Sequence, residues 1–248
     1  MHVDPDTLIE ESTYLIGIDD TDTIDSEYGT GKVSRLLGDH LTTALPSVEW
    51  RGSVRQQLLV DPRVPYTTHN SSATLICATP EGTSREDLVN VCSTFLTDIA
   101  ADGSDPGLCV GRRSSVSRSV RAFGLTAAEE LVEERQAYEL AEASGLFLDE
   151  YGGTGEGVIG ALAGVGRTAS LNHGRFIEYG HIREFDGAVS VAELRADGIV
   201  VDLADGGELQ TGTVETEGWV RPLLGRGRPV LEVEPVSNGS YRATNLDE

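Results

Sequence analysis

The sequence predicts a mixed α+β fold, and three observations carry that expectation. A short apolar, β-branched run, Thr13-Tyr14-Leu15-Ile16-Gly17-Ile18, ends in carboxylates and reads as a buried strand. A helix-spaced set follows it. Val33, Leu36, Leu37, His40, Leu41, Ala44 and Leu45 fall at i, +3, +4, +7, +8, +11 and +12, which is one helix face. Beyond about residue 170, turn signals (Asp197-Gly198, Asp205-Gly206-Gly207, Asn238-Gly239) separate short strand-like runs such as Ile199-Val200-Val201. Residues 1–170 therefore read as an α/β or α+β body, and about 185–248 as a small β-rich appendage.

The elements between follow in order. Gln57 to Val60 and Ala73 to Ala78 are expected as strands, separated by the turn-rich stretch Asp61 to Ser72. Ser84-Arg85-Glu86-Asp87 fits a capping box before a helix whose apolar face is Leu88, Val91, Cys92, Phe95, Leu96 and Ile99. Thr126-Ala127-Ala128-Glu129 opens another helix, expected to reach about Ser144. Gly152 to Gly157 is a glycine-rich loop leading into a small-residue helix from Val158 to about Val165. Gly225-Arg226-Gly227-Arg228 is expected as a loop.

Composition narrows the function classes. The 248 residues are 39% hydrophobic, enough for a sizeable core. No run of about 18 apolar residues exists to span a membrane, and the N-terminal MHVDPDTLIEES is too polar for a secretory signal. Asp and Glu total 41 against 19 Lys and Arg, a formal net charge of −22, and Lys32 is the lone lysine. Such self-repulsion is relieved at molar salt, where the screening length falls to about 3 Å. The expectation is a cytoplasmic, salt-adapted protein whose acidity does not argue against nucleic-acid binding. Cys77, Cys92 and Cys109 have no CxxC spacing and the five histidines are scattered, which excludes a zinc ribbon or finger.

The chemistry concentrates on the loop from Asp19 to Lys32. A strand delivers Asp19, Asp20 and Asp22, with Thr21 among them, and the loop returns through Gly29-Thr30-Gly31-Lys32 into a helix. Three carboxylates this close repel unless a cation joins them, and magnesium suits hard oxygens and substrate phosphates. Gly29 and Gly31 allow close backbone approach to a phosphate at a helix N-terminus, and Lys32 adds a point charge. The competing reading is an acidic surface turn with Thr30 as an ordinary cap. The loop is not a Walker A motif, since Ser26 stands at the first glycine position and Val33 at the Ser/Thr position.

Other stretches offer partners for that loop. The connection from Asp61 to Ser72 brings Arg63, His69 and Asn70 as substrate-binding candidates, and the turn from Gly103 to Gly107 brings Asp105. Gly153, Gly155 and Gly157 precede a helix and suit a phosphate or base; close packing, with Gly160, Ala161, Ala163 and Gly164, is the alternative. Arg112, Arg113, Arg118 and Arg121 form a basic cluster that suits phosphates or simply complements an acidic surface.

Together these segments resemble a known family. Gly17-Ile18-Asp19-Asp20-Thr21-Asp22 is similar to the opening motif of the archaeal agmatinylcytidine synthetases, which modify the AUA-decoding isoleucine tRNA. Val60-Asp61-Pro62-Arg63-Val64-Pro65-Tyr66, Asp105-Pro106-Gly107 and Gly155-Glu156-Gly157-Val158-Ile159-Gly160-Ala161-Leu162 resemble three further stretches in the same order, over about residues 13 to 170. The resemblance implies a kinase-like domain over 1–80 and a ferredoxin-like α+β domain over 81–184, ahead of the β-rich appendage that the turn signals give over 185–248. It implies ATP and Mg2+ as cofactors, with Thr30 at the position of a threonine implicated in phosphate chemistry. Thr67 and His69 replace basic residues of the family's Pro-Trp segment, Ile24-Asp25-Ser26-Glu27 lengthens the loop, and no zinc-ribbon ligands follow. A smaller relative is therefore expected, unable by itself to modify the wobble cytidine of a tRNA.

The leading expectation is an ATP- and magnesium-dependent phosphotransferase or ligase. Asp19, Asp20 and Asp22 would hold metal and nucleotide, with Thr30 and Lys32 acting at the phosphates. The alternatives are a non-catalytic nucleotide- or RNA-binding module, and a tRNA-modification subunit that meets RNA through a partner.

Overall fold

The computed structural model describes residues 7–64, 70–80, 82–237 and 239–244. Strand β1 (Tyr14–Asp19) is buried at every position, as a strand covered on both faces must be. It is flanked by β3 (Ser71–Ala78) and β4 (Gly107–Arg112), both antiparallel, with Ile16 opposite Leu75 and Val110. β5 (Phe147–Glu150) extends the sheet beyond β4, and β2 (Glu49–Gln57) followed by β6 (Arg175–Glu178) extends it beyond β3.

The two faces carry different helices. α1 (Thr30–Ala44) and α2 (Arg85–Ile99) bury Val33, Leu37, Leu41, Leu88, Cys92 and Leu96 against Ile16, Ile18, Leu75 and Val110. On the other face α5 (Gly157–Ala169) lies along β1, with α3 (Arg118–Thr126) and α4 (Glu134–Ser144) packed behind it. α5 sits unusually close. A Cβ on Gly17 of β1 would overlap the Ala161 carbonyl oxygen, and one on Gly107 would overlap the backbone of Gly157. The small residues of α5 are thus a close-packing requirement.

The β-rich segment adds β7 (Gly187–Ser190), the short helix α6 (Val191–Ala196), β8 (Val200–Leu203), β9 (Thr213–Thr216), β10 (Leu223–Gly225), β11 (Arg228–Ser237) and β12 (Ser240–Ala243). Pairing of β10 with β6 joins this segment to the body, so the described strands form one continuous twelve-stranded sheet. The expected turn at Gly225-Arg226-Gly227-Arg228 is the hairpin between β10 and β11.

Several features differ from the sequence expectation. The strand expected at Gln57 to Val60 lies earlier, at Glu49–Gln57. Its sequence EWRGSVRQQ lacks alternation, and a register shift between Trp50 and Gly52 breaks its period. The helix expected from Thr126 to Ser144 starts later, as α4 at Glu134, and α3 (Arg118–Thr126) is a separate helix before it. Ser117 caps α3 by accepting from the Val120 N–H, and the chain leaves helical structure between Thr126 and Glu134. Strand β4, after the Asp105 turn, is an addition, because Leu108-Cys109-Val110 is too short a run to show a period. The capping box at Ser84 and Asp87 is present, with both reciprocal bonds.

Candidate active site

Asp19 ends β1 with 9% of its surface exposed. Its carboxylate lies on the first turns of α5, where a Cβ on Gly160 would overlap Oδ2. Burial pushes its carboxyl up to about 8, and the charges of Asp20 and Asp22 push the same way. Asp20 leaves the strand at φ +50°, a left-handed conformation that costs a non-glycine residue of order 1 kcal/mol. Its carboxyl rises to about 6, first through burial and then through Asp105, Asp22 and Glu156. Several carboxylates therefore share one space, and at neutral pH the protein holds a proton there unless a cation replaces it.

The next turn of the loop docks on α1. Asp22 Oδ1 accepts from the Thr30 N–H at 2.8 Å and from the Thr30 hydroxyl at 2.9 Å. The Thr21 hydroxyl donates to Thr30 Oγ1 at 3.2 Å. The N-cap residue Gly29 has no side chain to offer, so Asp22 caps α1 from eight positions upstream and sets its negative charge against the positive end of the helix. Thr30 is the first helical residue rather than the cap.

Asp19, Asp20, Asp22 and Thr30 line the polar end of an open cleft of about 730 Å³, mouth included. Its other walls are largely apolar: Leu58, Leu59, Leu131, Val132 and Ile159. A polar end with an apolar wall suits a ligand that carries both phosphates and a ring. Glu130, Glu156 and Asn70 add polar groups to the lining, and the Asn70 amide donates to the Leu59 carbonyl at 2.7 Å.

The glycine-rich loop wraps Asp105. The Thr154 and Gly155 N–H groups both donate to Asp105 Oδ1. A Cβ on Gly153 would overlap that same carboxylate, and one on Gly157 would overlap the Asp105 carbonyl. Asp105 is thereby held where its charge raises Asp20.

The remaining candidates are placed as follows. Gly29 and Gly31 line a second cleft on the other side of Thr30. Lys32 is the third residue of α1, and its charge is felt by Glu178 rather than lining the acidic cleft. Arg63 folds back on Asp61 through paired 2.8 Å bonds, which hold the Asp61 carboxyl down at about 2. His69 lies outside the described residues. Of the arginine cluster, Arg112 stacks over Tyr14 with its guanidinium 5.0 Å from the ring centre, Arg113 is buried with Glu11 at 2.7 Å, and Arg118 and Arg121 lie on α3. Sequence reasoning missed Leu58, Leu59 and the segment from Glu130 to Val132. They carry no motif, and only folding brings them opposite the aspartates.

Among the described residues, no group of three or more His, Cys, Asp or Glu side chains is arranged to hold a metal by itself. The donor set nevertheless fits magnesium, which usually keeps only one or two carboxylates and completes its shell with phosphate oxygens and water.

No protein-family model matches the sequence, and no curated protein does. Solved structures do match in fold. A complex of TiaS with its isoleucine tRNA and ATP aligns with a TM-score of 0.53 at 20% identity, covering 62% of this chain and 36% of that one. A tRNA fluorescent labeling enzyme aligns at 0.52 and 21% identity, covering 62% and 36%. Apo TiaS, the agmatidine synthetase of that isoleucine tRNA, aligns at 0.50 and 19% identity, covering 62% and 35%. The matched region thus amounts to about a third of those proteins' length. Over 62% of its length, this chain has a fold similar to part of the isoleucine-tRNA agmatidine synthetase.

Proposed function

We propose that the chain is an ATP- and magnesium-dependent phosphotransferase or ligase related to tRNA modification, acting on a nucleoside, RNA or small-molecule acceptor. One observation carries this reading: a cleft with several close carboxylates whose edge is formed by the Thr30 hydroxyl, itself hydrogen-bonded to Asp22 at the start of α1. The similarity to a solved protein captured with an isoleucine tRNA and ATP supports nucleotide and RNA as the ligand classes.

Asp20, with Asp19, would hold magnesium, which would neutralise charge on the nucleotide phosphates. Asp22 accepts the Thr30 proton at 2.9 Å, so it is positioned to take that proton if Oγ1 receives a phosphoryl group. The apolar wall of Leu58, Leu131 and Ile159 gives a nucleobase a surface to cover, and closure over it would exclude water.

The test is incubation with ATP and magnesium at a salt concentration that keeps the chain folded, resolving ADP from AMP plus pyrophosphate. Turnover is expected, with Asp20→Asn weakening Mg·ATP affinity by about tenfold or more, or ~1.4 kcal/mol. Nucleotide binding without release of phosphate or pyrophosphate would make the chain a binding module instead.

A further inference from the structure

A second cleft, of about 780 Å³ with its mouth included, opens across Thr30 from the acidic one. Its floor is the first turn of α1. Arg35 of α1, Arg55 of β2, Arg183 from the stretch after β6, and Trp219 from the β-rich segment form its walls. In a chain of net charge −22, this is a local inversion of sign.

The arginines are held in place. The Arg183 guanidinium lies 4.5 Å from the centre of the Trp219 ring, and that of Arg221 lies 4.7 Å from it, so one indole orders two cations. Arg183 also donates to the Ile177 carbonyl at 3.1 Å, and Arg55 Nε donates to Ser71 Oγ at 2.9 Å. Glu178 serves both Arg35, at 3.9 Å, and Arg183. Asp22 lines the cleft too, but its Oδ1 is committed to Thr30. Burial and the like charges of Arg35 and Arg221 hold Arg183 below its ordinary range, a repulsion that a bound anion would relieve.

We propose that this cleft binds the phosphate ester of a nucleotide, as a subsite separate from the acidic cleft and contributed in part by the β-rich segment. Planar guanidinia from three separate parts of the fold suit a tetrahedral anion with several acceptor oxygens. The α1 N-terminus adds a favourable dipole. Only Asp22, Thr30 and Ser71 are common to both clefts, so a ligand here would lie beside one in the acidic cleft. The inference goes beyond the catalytic reading, since it requires binding and no turnover.

Isothermal titration tests it, with EDTA present and no triphosphate, so that the result is independent of whether the acidic cleft uses Mg·ATP. The probes are uridine 5′-monophosphate, a single-stranded oligouridylate, and uridine as the uncharged control. Both phosphate-bearing probes should bind and uridine should not. A tighter oligouridylate would identify an internal phosphodiester as the source, and equal affinity a terminal phosphate. Arg183→Ala and Arg35→Ala should each weaken binding by about tenfold, and Trp219→Leu should weaken it by releasing the guanidinia. Circular dichroism checks that each variant is folded, and Arg183→Gln replaces Arg183→Ala if the latter is not. Uridine binding as well as the nucleotide, absence of binding, or affinity unchanged in folded Arg183 and Arg35 variants would each overturn the proposal.

Discussion

At the scale of single residues, Asp19 couples the site to pH. Its carboxyl is raised from an unfolded value near 3.8 to about 8, and that of Asp20 to about 6. Between those values the folded state binds more protons than the unfolded state, so stability falls as pH rises. The contribution is fully present below about pH 4 and is lost as pH passes through about 8. A tenfold difference in proton affinity between the two states corresponds to about 1.4 kcal/mol. Asp19→Asn should therefore flatten the decline and make the protein more stable than its parent at pH 8. Urea unfolding at pH 5 and pH 8 measures this, and parallel curves for parent and variant would remove the argument. Thr30 poses a separate question. Thr30→Ala removes the hydroxyl shared by Thr21 and Asp22, while the backbone bond from position 30 to Asp22 remains. A purely structural hydroxyl would cost about 1 kcal/mol and leave turnover intact. The expected result is loss of turnover far beyond that, with Thr30→Ser restoring part of it.

At the scale of elements, the contact between β1 and α5 positions Asp19. Gly17→Ala would drive a methyl into the Ala161 carbonyl, a backbone atom that cannot move without shifting the helix. Overpacking of this kind should cost more than about 2 kcal/mol. At Gly164 a Cβ would lie 2.7 Å from Ser72 Oγ and 2.8 Å from Thr74 Oγ1, both side-chain atoms. There the gain in helix propensity, about 1 kcal/mol, offsets part of the clash. Chemical denaturation should thus rank Gly17→Ala well below Gly164→Ala, and equal losses would show that α5 does not press on β1 as described. Gly160→Ala has a third outcome. Its methyl displaces the Asp19 carboxylate, so nucleotide affinity should fall together with stability.

At the scale of the whole molecule, charge and connectivity dominate. With a net charge of −22, the unfolding temperature should rise as KCl is increased from about 0.1 M to about 1 M, where the screening length shrinks from ~10 Å to ~3 Å. Thermal melts with a neutral osmolyte as control measure this, and an unchanged midpoint would remove self-repulsion as a burden on the fold. Connectivity matters because β10 pairs with β6 and thereby sets the β-rich segment beside α1. Among the described residues no helix is long and apolar enough to cross a membrane.

The sequence by itself determined the local features. The helix face from Val33 to Leu41 and the capping box at Ser84 rest on interactions within a few residues, which periodicity exposes directly, and the strand carrying Asp19 to its end shows as a short apolar, β-branched run. It also marked Asp19, Asp20, Asp22 and Thr30 as one constellation, because they share a single loop. Tertiary structure alone decided the rest. The polar strand β2 exists because β3 and β6 satisfy its backbone from both sides, and neither neighbour is legible in EWRGSVRQQ. The glycine-rich loop closes on Asp105 because β4 brings that carboxylate beneath its amides. Asp19 is raised because Gly160 lets its carboxylate lie against α5, and Arg183 meets Arg35 because the pairing of β6 with β2 joins two distant segments. Burial and charge coupling depend on which surfaces meet, and that is fixed by packing across the whole chain rather than by any stretch of it.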